Sequence, residues 1–414
     1  KNRFNLSYFD QLFLVTMGFF YLPLIMSLPM YFSNYNFSFL NAYFESVSGF
    51  TTTGFSIINN INKIDESLIL WRSSIQWLGG IYFLISLISI LGTSRVMIKP
   101  SYLILNESFG GNYYNNFFSN SFKIFLIYFV STILIFFLYM IADIRFFNGF
   151  NLAMTIISSG GFLSENVLDG IIRNDFQLFI LTLTILVPLF NFFLFYKIIF
   201  KKFKYTDYIE DFYNFILILL VVFILFFFLT NETNILSIFF IVLSSLTNIG
   251  INIESQDLNF SFLFLSLTII GGSSLSVTSG FKTARIYLLL KFSVNEMAKL
   301  VKPMNVFNQN MFNKTSKFND QDVKNAFLVF LFFILMLFLL TSFLSLENLE
   351  IDKSFKLAIL TLTNTVSSNI FDLADINFKL TSIFTKISLI IFMIVGKVEL
   401  IAFLLIIKRI FYRD

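Results

Sequence analysis

Four short polar stretches carry the residue types that could coordinate a cation in this chain. They read SGFTTTGFSIIN (48–59), TIISSGGFLSEN (155–166), SSLTNIGINIES (244–255) and TLTNTVSSNIFD (361–372). A cation that crosses a bilayer must shed its water, and carbonyl oxygens can replace that shell. Glycine lets a carbonyl turn toward an axis, and threonine adds a hydroxyl acceptor. We therefore predict that these stretches line a cation pathway.

The apolar segments around these stretches predict how they are positioned. A spanning helix needs about 20 apolar residues, and eight segments approach that length: 10–31, 69–92, 122–142, 176–200, 212–230, 259–290, 325–344 and 380–411. Each successive pair encloses a shorter apolar segment, at 38–50, 148–158, 235–246 and 353–364. These lengths fit re-entrant half-helices, whose negative C-terminal ends favour a cation.

The order of helix, half-helix, polar loop and helix occurs four times along the chain. We predict an all-α membrane protein of four pseudo-symmetric repeats around one central pore. The predicted boundaries are 1–99, 100–207, 208–318 and 319–414.

The composition supports a multi-pass membrane protein and excludes several functions. The 414 residues are 57% hydrophobic and 13% charged, too few charges to cover a soluble protein of this length. The absence of Cys and His excludes disulfides, thiolate zinc sites and histidine catalysis. With no P-loop and no GxGxxG after a strand, we expect neither an enzyme nor an organic cofactor.

Charge asymmetry predicts the orientation. Most of the 29 Lys and Arg residues fall on the side that holds both ends of each repeat. By the positive-inside rule, that side and both termini are cytoplasmic, and the polar loops face outward. Acidic residues on the outer side, including Glu45, Asp65, Glu66 and Glu165, either attract cations or simply solvate the loops.

Four segments resemble the Trk/Ktr/HKT superfamily of potassium transporters, and most closely the bacterial Trk membrane subunit. They are FESVSGFTTTGFS (44–56), SIQWLGGIYFLISLISIL (74–91), GGSSLSVTSGFKTARI (271–286) and MIVGKVELIAFLLIIKRIFYR (393–413). The resemblance implies potassium uptake across the cytoplasmic (inner) membrane. It also implies two helices before those seen here, so we expect this chain to begin just after them.

The resemblance also implies which residues form an ion-selective filter, with K⁺ as the bound and transported ion. Repeat four departs from the family pattern, because either Val366 or Asn369 stands where a glycine is usual. The implied filter residues are Thr51, Thr52, Thr53 and Gly54; Ser158, Ser159, Gly160 and Gly161; Thr247, Asn248, Ile249 and Gly250; and Thr363, Asn364, Thr365 and Val366 or Asn369.

The sixth apolar segment is interrupted by residues that disfavour helix. GGSSLSVTSG (271–280) places glycines and small hydroxyl residues in its middle. The resemblance implies an intramembrane loop that closes the pore below the filter. A simple helix end followed by a loop is the other interpretation. The implied gate residues in this loop are Gly271, Gly272, Ser273, Ser274 and Gly280.

Lys397 stands near the centre of the last predicted span. Inserting a lysine at the centre of a membrane span costs roughly 2.5–3.5 kcal/mol of free energy, so such a lysine usually has a structural or functional role. The resemblance implies a basic residue that faces the pore near the gate, acting as an electrostatic barrier or as a partner of the gating loop. Snorkelling or a bond between helices is the alternative.

Two other functions are considered. One is a sodium- or proton-coupled, less selective monovalent cation transporter, which usually needs carboxylates inside spans. Only Glu399 is clearly inside a predicted span, which argues against it. The other is a membrane enzyme such as a lipid transferase, which the absence of histidine disfavours.

The expected partners follow from the membrane and from the resemblance. We expect a lipid bilayer, a homodimer and a cytosolic ring of nucleotide-binding regulatory subunits, and no nucleic acid. The basic segments 197–204 and 282–324 either dock such a ring or simply obey the positive-inside rule.

Overall fold

The computed structural model describes residues 8–91, 117–192, 209–228, 234–253, 260–302, 310, 318–347 and 349–398. Within these ranges the regular structure is helical. In chain order the α-helices are α1 (Tyr8–Met26), α2 (Leu28–Tyr31), α3 (Phe39–Phe50), α4 (Glu66–Leu91), α5 (Phe117–Ile141), α6 (Phe146–Ile157), α7 (Asp175–Leu189), α8 (Ile209–Phe228), α9 (Ile235–Leu246), α10 (Ser261–Ile270), α11 (Thr283–Val301), α12 (Asp320–Ser345), α13 (Ile351–Leu362) and α14 (Ile383–Lys397).

Five stretches of the described helices are long and apolar enough to cross a membrane. They are Asp10–Tyr31, Glu66–Leu87, Ser121–Ile141, Glu210–Phe227 and Asp320–Ser345. Large apolar side chains on them point outward; Phe223 is 71% exposed and Phe338 is 62% exposed. Because such side chains are unfavourable in water, these faces suit lipid.

Three of the predicted spans differ from the observed helices. In the predicted span 176–200 the helix ends at Leu189, and in the predicted span 380–411 α14 ends at Lys397. Residues 193–200 and 399–411 of these predicted spans lie outside the described residues, and with them Glu399 and the basic segment 197–204. The predicted span 259–290 is divided between α10 and α11.

The chain between α10 and α11 folds back on itself, and we call residues 271–282 the mid-span loop. Gly271 and Gly280 have φ angles of +67° and +83°, which favour glycine. The loop closes where the Phe281 amide donates to the Ile269 carbonyl over 2.8 Å. Its interior residues are buried, so the end of α10 is followed by a loop that is enclosed by protein.

Four helices, α3, α6, α9 and α13, contain 12 residues each and are too short to cross a bilayer. Each packs against longer helices: α3 on α4, α6 on α5, α9 on α7 and α13 on α12. Their last turns are buried. They therefore end inside the protein, where the following loops meet.

Two adjacent glycines let α4 approach the ends of two short helices. A β-carbon at Gly79 would overlap the Phe50 carbonyl at the end of α3. A β-carbon at Gly80 would lie 2.9 Å from Cβ of Ser158, directly after α6. The WLGG sequence thus brings one long helix against the first two polar loops.

Candidate ion-binding loops

The segments after the four short helices share the backbone conformation of their first three residues. We call them L1 (51–56), L2 (158–163), L3 (247–252) and L4 (363–368). The second residue of each loop is left-handed, with φ of +56° at Thr52, +57° at Ser159, +62° at Asn248 and +50° at Asn364.

The amide of the third residue in each loop bonds back into the preceding short helix. The bonds are Thr53 N to Ser48 O (2.8 Å), Gly160 N to Thr155 O (2.9 Å), Ile249 N to Ser244 O (3.0 Å) and Thr365 N to Leu360 O (2.9 Å). This is a helix-terminating geometry, which satisfies carbonyls that the helix end leaves unpaired.

The shared conformation gives the alignment of L4 that the sequence left open. Counting from the left-handed residue, Val366 occupies the position of Gly54, Gly161 and Gly250. Asn369 lies beyond L4, where it begins a 3₁₀ turn (Asn369–Phe371), and it is exposed. Val366 is therefore the residue that replaces glycine in the fourth loop.

Side chains at the second position connect neighbouring loops. The Ser159 hydroxyl of L2 donates to the Thr247 carbonyl of L3. The Asn248 amide donates to the Thr365 hydroxyl of L4 over 3.2 Å, and the Asn364 amide donates to the Thr53 hydroxyl of L1 over 3.0 Å. The loops are thus joined in the order L2, L3, L4, L1.

Contacts at the fourth position complete the circuit. A β-carbon at Gly54 would lie 3.3 Å from Cα of Gly161, which brings L1 against L2. A β-carbon at Gly161 would lie 2.8 Å from the Ile249 carbonyl oxygen, and one at Gly250 would lie 2.9 Å from the Val366 carbonyl oxygen. The four fourth-position residues therefore meet around one point.

The two ends of the loops face different surroundings. The fourth-position residues border a cavity of about 240 Å³, together with polar side chains that include Glu165 and Asn166. The Thr52 hydroxyl at the second position instead accepts a hydrogen bond from Lys397 Nζ over 2.7 Å. One end of L1 thus opens to a polar cavity, and the other contacts a buried lysine.

Lys397 also contacts the mid-span loop. Its Nζ lies 3.3 Å from both the Val277 carbonyl oxygen and the Ser279 hydroxyl, and 4.6 Å from the centre of the Phe83 ring. Its side chain is almost fully buried. Of the roles considered for Lys397, snorkelling does not fit, because the amine is enclosed by protein groups.

The mid-span loop is held by two carboxylates at the start of α8. Glu210 accepts bonds from the Ser274 amide and hydroxyl and from the Thr283 hydroxyl. Asp211 accepts a 2.7 Å bond from the Ser273 hydroxyl. Both are buried inside the apolar stretch Glu210–Phe227. They are the first two residues of that stretch, whereas Glu399, the carboxylate predicted inside a span, lies outside the described residues.

Glu45 does not belong to a solvated acidic surface. It is 1% exposed, and its carboxylate accepts bonds from Arg72 Nε (2.9 Å), the Ser56 hydroxyl (2.9 Å) and the Ile57 amide (2.7 Å). Arg72 also stacks over the Phe162 ring at 4.1 Å. The predicted attraction of external cations by Glu45 is wrong, since this buried ion pair instead anchors the end of L1.

The end of L4 is held by a more exposed pair. Lys356 Nζ lies 2.9 Å from Oδ2 of Asp372, shortly after the 3₁₀ turn. Partial burial by itself would raise the pKa of Asp372, but hydrogen bonds from Lys356 and Ser261 lower that pKa below its usual value. The sequence offered no signal for this pairing, because 16 positions separate the partners.

The TrkH family of cation transport proteins matches residues 5–208. An uncharacterized cation transporter of Methanocaldococcus jannaschii is 26% identical over 393 residues, which cover 94% of this chain and 80% of that protein. The potassium transporter TrkH from Vibrio parahaemolyticus superposes with a TM-score of 0.85 over 100% of this chain and 88% of that one. The predicted resemblance to the Trk superfamily is confirmed.

Further Trk relatives match a smaller part of their own length. The Trk system potassium uptake protein TrkH of Escherichia coli K12 is 24% identical over 308 residues, which cover 70% of this chain and 63% of that protein. The chain thus spans about three fifths of this Trk relative. The V. parahaemolyticus structure is 22% identical and establishes the likeness in fold.

Proposed function

We propose that this chain carries potassium ions across the cytoplasmic membrane through the ring formed by L1, L2, L3 and L4. The observation that carries the proposal is the repeated backbone of these loops together with the contacts that join them into a circuit. The names of Trk relatives as potassium uptake proteins support potassium as the ion.

The chemistry of the ring suits a dehydrated monovalent cation. The short helices direct the negative ends of their dipoles toward the loops, and the loops offer carbonyl and hydroxyl oxygens. Within the described residues no cluster of three or more His, Cys, Asp or Glu side chains could hold a metal ion. Ligation by neutral oxygens favours a weakly held ion, which can enter and leave.

In the proposed architecture, four pseudo-symmetric repeats with the boundaries given above surround this ring. The positive-inside rule orients the protein with both termini and the mid-span loop toward the cytoplasm, and with the cavity beside Gly54 and Gly161 outward. Homodimerisation and a cytosolic regulatory ring are proposed from the Trk resemblance.

The mid-span loop and Lys397 form the proposed gate on the cytoplasmic side of the ring. The support is the burial of the loop and the bonds from Lys397 Nζ to both the loop and Thr52. Deleting residues 273–276 is expected to raise uptake, because it removes the bonds to Glu210 and Asp211 that hold the loop in place. Unchanged uptake would argue against the gate.

The proposed function is tested by rubidium uptake in a bacterium that lacks its own potassium transporters. The chain should restore growth at low potassium and accumulate rubidium, and potassium should compete more strongly than sodium. The Gly54→Ser variant should weaken that discrimination, because serine is strained at a φ of +82°. Absence of rescue at normal membrane abundance would refute the proposal.

A coupled, less selective cation transporter is the second candidate, and the buried pair Glu210 and Asp211 favours it. Carboxylates within spans are typical of ion-coupled transporters. If uptake is coupled through them, Glu210→Gln should abolish the dependence of uptake on a proton or sodium gradient. Under the first proposal, uptake follows the potassium gradient alone in both the parent and the Glu210→Gln variant.

A further inference from the structure

The side chain of Val366 lies within the circuit of glycines. A β-carbon at Gly54 would overlap Cγ2 of Val366, and so would a β-carbon at Gly161. The same methyl group therefore touches the backbone of two other loops. Val366 fits beside positions 54 and 161 only because both are glycines, which have no side chain.

The connectivity of the loops shows which way this methyl group points. L4 is bonded to L3 through Asn248 and Thr365, and to L1 through Asn364 and Thr53. L2 is bonded to L3 through Ser159 and Thr247, so L2 lies opposite L4 in the circuit. Contact between Val366 and Gly161 thus crosses the ring rather than following its edge.

The position of Val366 in the cavity wall agrees with this direction. Val366 lines the same polar cavity as Gly54, Gly161 and Gly250. Its side chain is half-buried. Solvent from the cavity therefore meets a methyl group at the level where the other three loops present backbone.

We propose that the Val366 side chain closes the ring at the level of the glycines and limits the rate at which cations pass from the outer cavity into it. The inference rests on the proposed transport function and adds a steric barrier particular to this chain. A methyl group offers no oxygen to a cation, so an ion passes only when the side chain moves aside. Valine is branched at Cβ and strongly restricted in χ1, which makes such movement infrequent.

The backbone of L4 allows this barrier to be removed without strain. Gly54 and Gly250 have positive φ angles, whereas Val366 does not. Glycine or alanine at position 366 can therefore keep the conformation that valine adopts. The hydrogen bonds that join L4 to L3 and L1 involve Asn364 and Thr365, not Val366, and do not depend on the side chain at position 366.

The test measures rubidium uptake at equal membrane abundance for the parent and for a series at position 366. We expect Val366→Gly to be about tenfold faster than the parent, equivalent to a barrier lower by about 1.4 kcal/mol. Val366→Ala should be intermediate and Val366→Ile slower. Val366→Thr has almost the volume of valine and should match the parent if bulk is what matters.

Val167→Ala is the matched control, because Val167 lines the same cavity but belongs to no loop of the ring. It should leave uptake unchanged. A parent that carries rubidium, with Val366→Gly and Val366→Ala no faster, would overturn the inference and leave the proposed function intact. If neither the parent nor Val366→Gly carries rubidium although both reach the membrane, the proposed function fails and the inference with it.

Discussion

L1 and L4 share the backbone conformation of their first three residues and differ in the residues that follow. In L1 the Thr51 and Thr53 hydroxyls lie 2.8 Å apart, and in L4 the Thr363 and Thr365 hydroxyls lie 3.0 Å apart. The first threonine of each loop donates its hydroxyl to a carbonyl in the helix before it. The first three residues of TTTG and of TNTV thus adopt one conformation, because it is set by how a helix ends.

The two loops diverge after the third residue. L1 continues through a left-handed glycine and is anchored by the buried pair Glu45 and Arg72. L4 continues through Val366 and reaches a partly exposed pair, Lys356 and Asp372. The helix end thus imposes the conformation of the first three residues of each loop, and local packing decides the conformation of the rest.

The largest effect is expected when the anchor of L1 is broken. Arg72→Ala leaves Glu45 buried without its counter-charge, and removing one partner of a buried ion pair costs about 3–5 kcal/mol. We expect a lower apparent Tm in detergent and loss of rubidium uptake. Arg145→Ala is the control: its pair with Glu66 is exposed, and such pairs contribute about 0–1 kcal/mol. Equal losses in the two variants would contradict the anchor.

The next effect concerns Lys397, whose amine contacts L1. Lys397→Met removes the bonds to Thr52, Val277 and Ser279 while keeping an unbranched chain. We expect rubidium uptake to change several-fold with the fold retained. Lys386→Met is the control, because Lys386 lies on the same helix and bonds the Lys379 carbonyl. Parent-like uptake by Lys397→Met would exclude a role in gating.

The alignment of L4 is tested by two asparagines. Asn364→Ala removes bonds to Thr53 and to the Met393 carbonyl and leaves buried groups unsatisfied, at about 1–3 kcal/mol each. Asn364→Ala should therefore lower the apparent Tm and weaken discrimination between potassium and sodium in a competition assay. Asn369→Ala should change neither the Tm nor the discrimination, since that residue is exposed. Comparable effects at both positions would contradict the alignment through Val366.

The smallest effect is expected at the exposed anchor of L4. Because the folded-state pKa of Asp372 is lowered, the stability it contributes is present above the unfolded-state pKa and is lost as pH falls through the folded-state value. Asp372→Asn should slightly lower the apparent Tm at neutral pH and remove this loss on acidification. If the difference in Tm between the parent and Asp372→Asn were the same at every pH, the pairing would be contradicted.

Much of the architecture could be predicted because it depends on composition and local pattern. Within the described residues, the apolar runs form helices, the short segments before each polar stretch form 12-residue helices, and the interruption at GGSSLSVTSG forms a folded loop. The end of a helix is a local feature. The repeated order of short helix and polar loop therefore indicates that TTTG and the three dissimilar loop sequences begin with one backbone conformation.

The sequence alone thus determined that the chain is helical and apolar and where its four polar loops lie, because hydrophobicity and helix termination depend on neighbouring residues. The tertiary structure decided the partners that are distant in the chain: Glu45 with Arg72, Lys397 with Thr52, and Glu210 and Asp211 with the mid-span loop. It also decided that Val366, rather than Asn369, stands at the glycine position. These outcomes depend on which helices meet, and a residue's type does not reveal what lies across the fold from it.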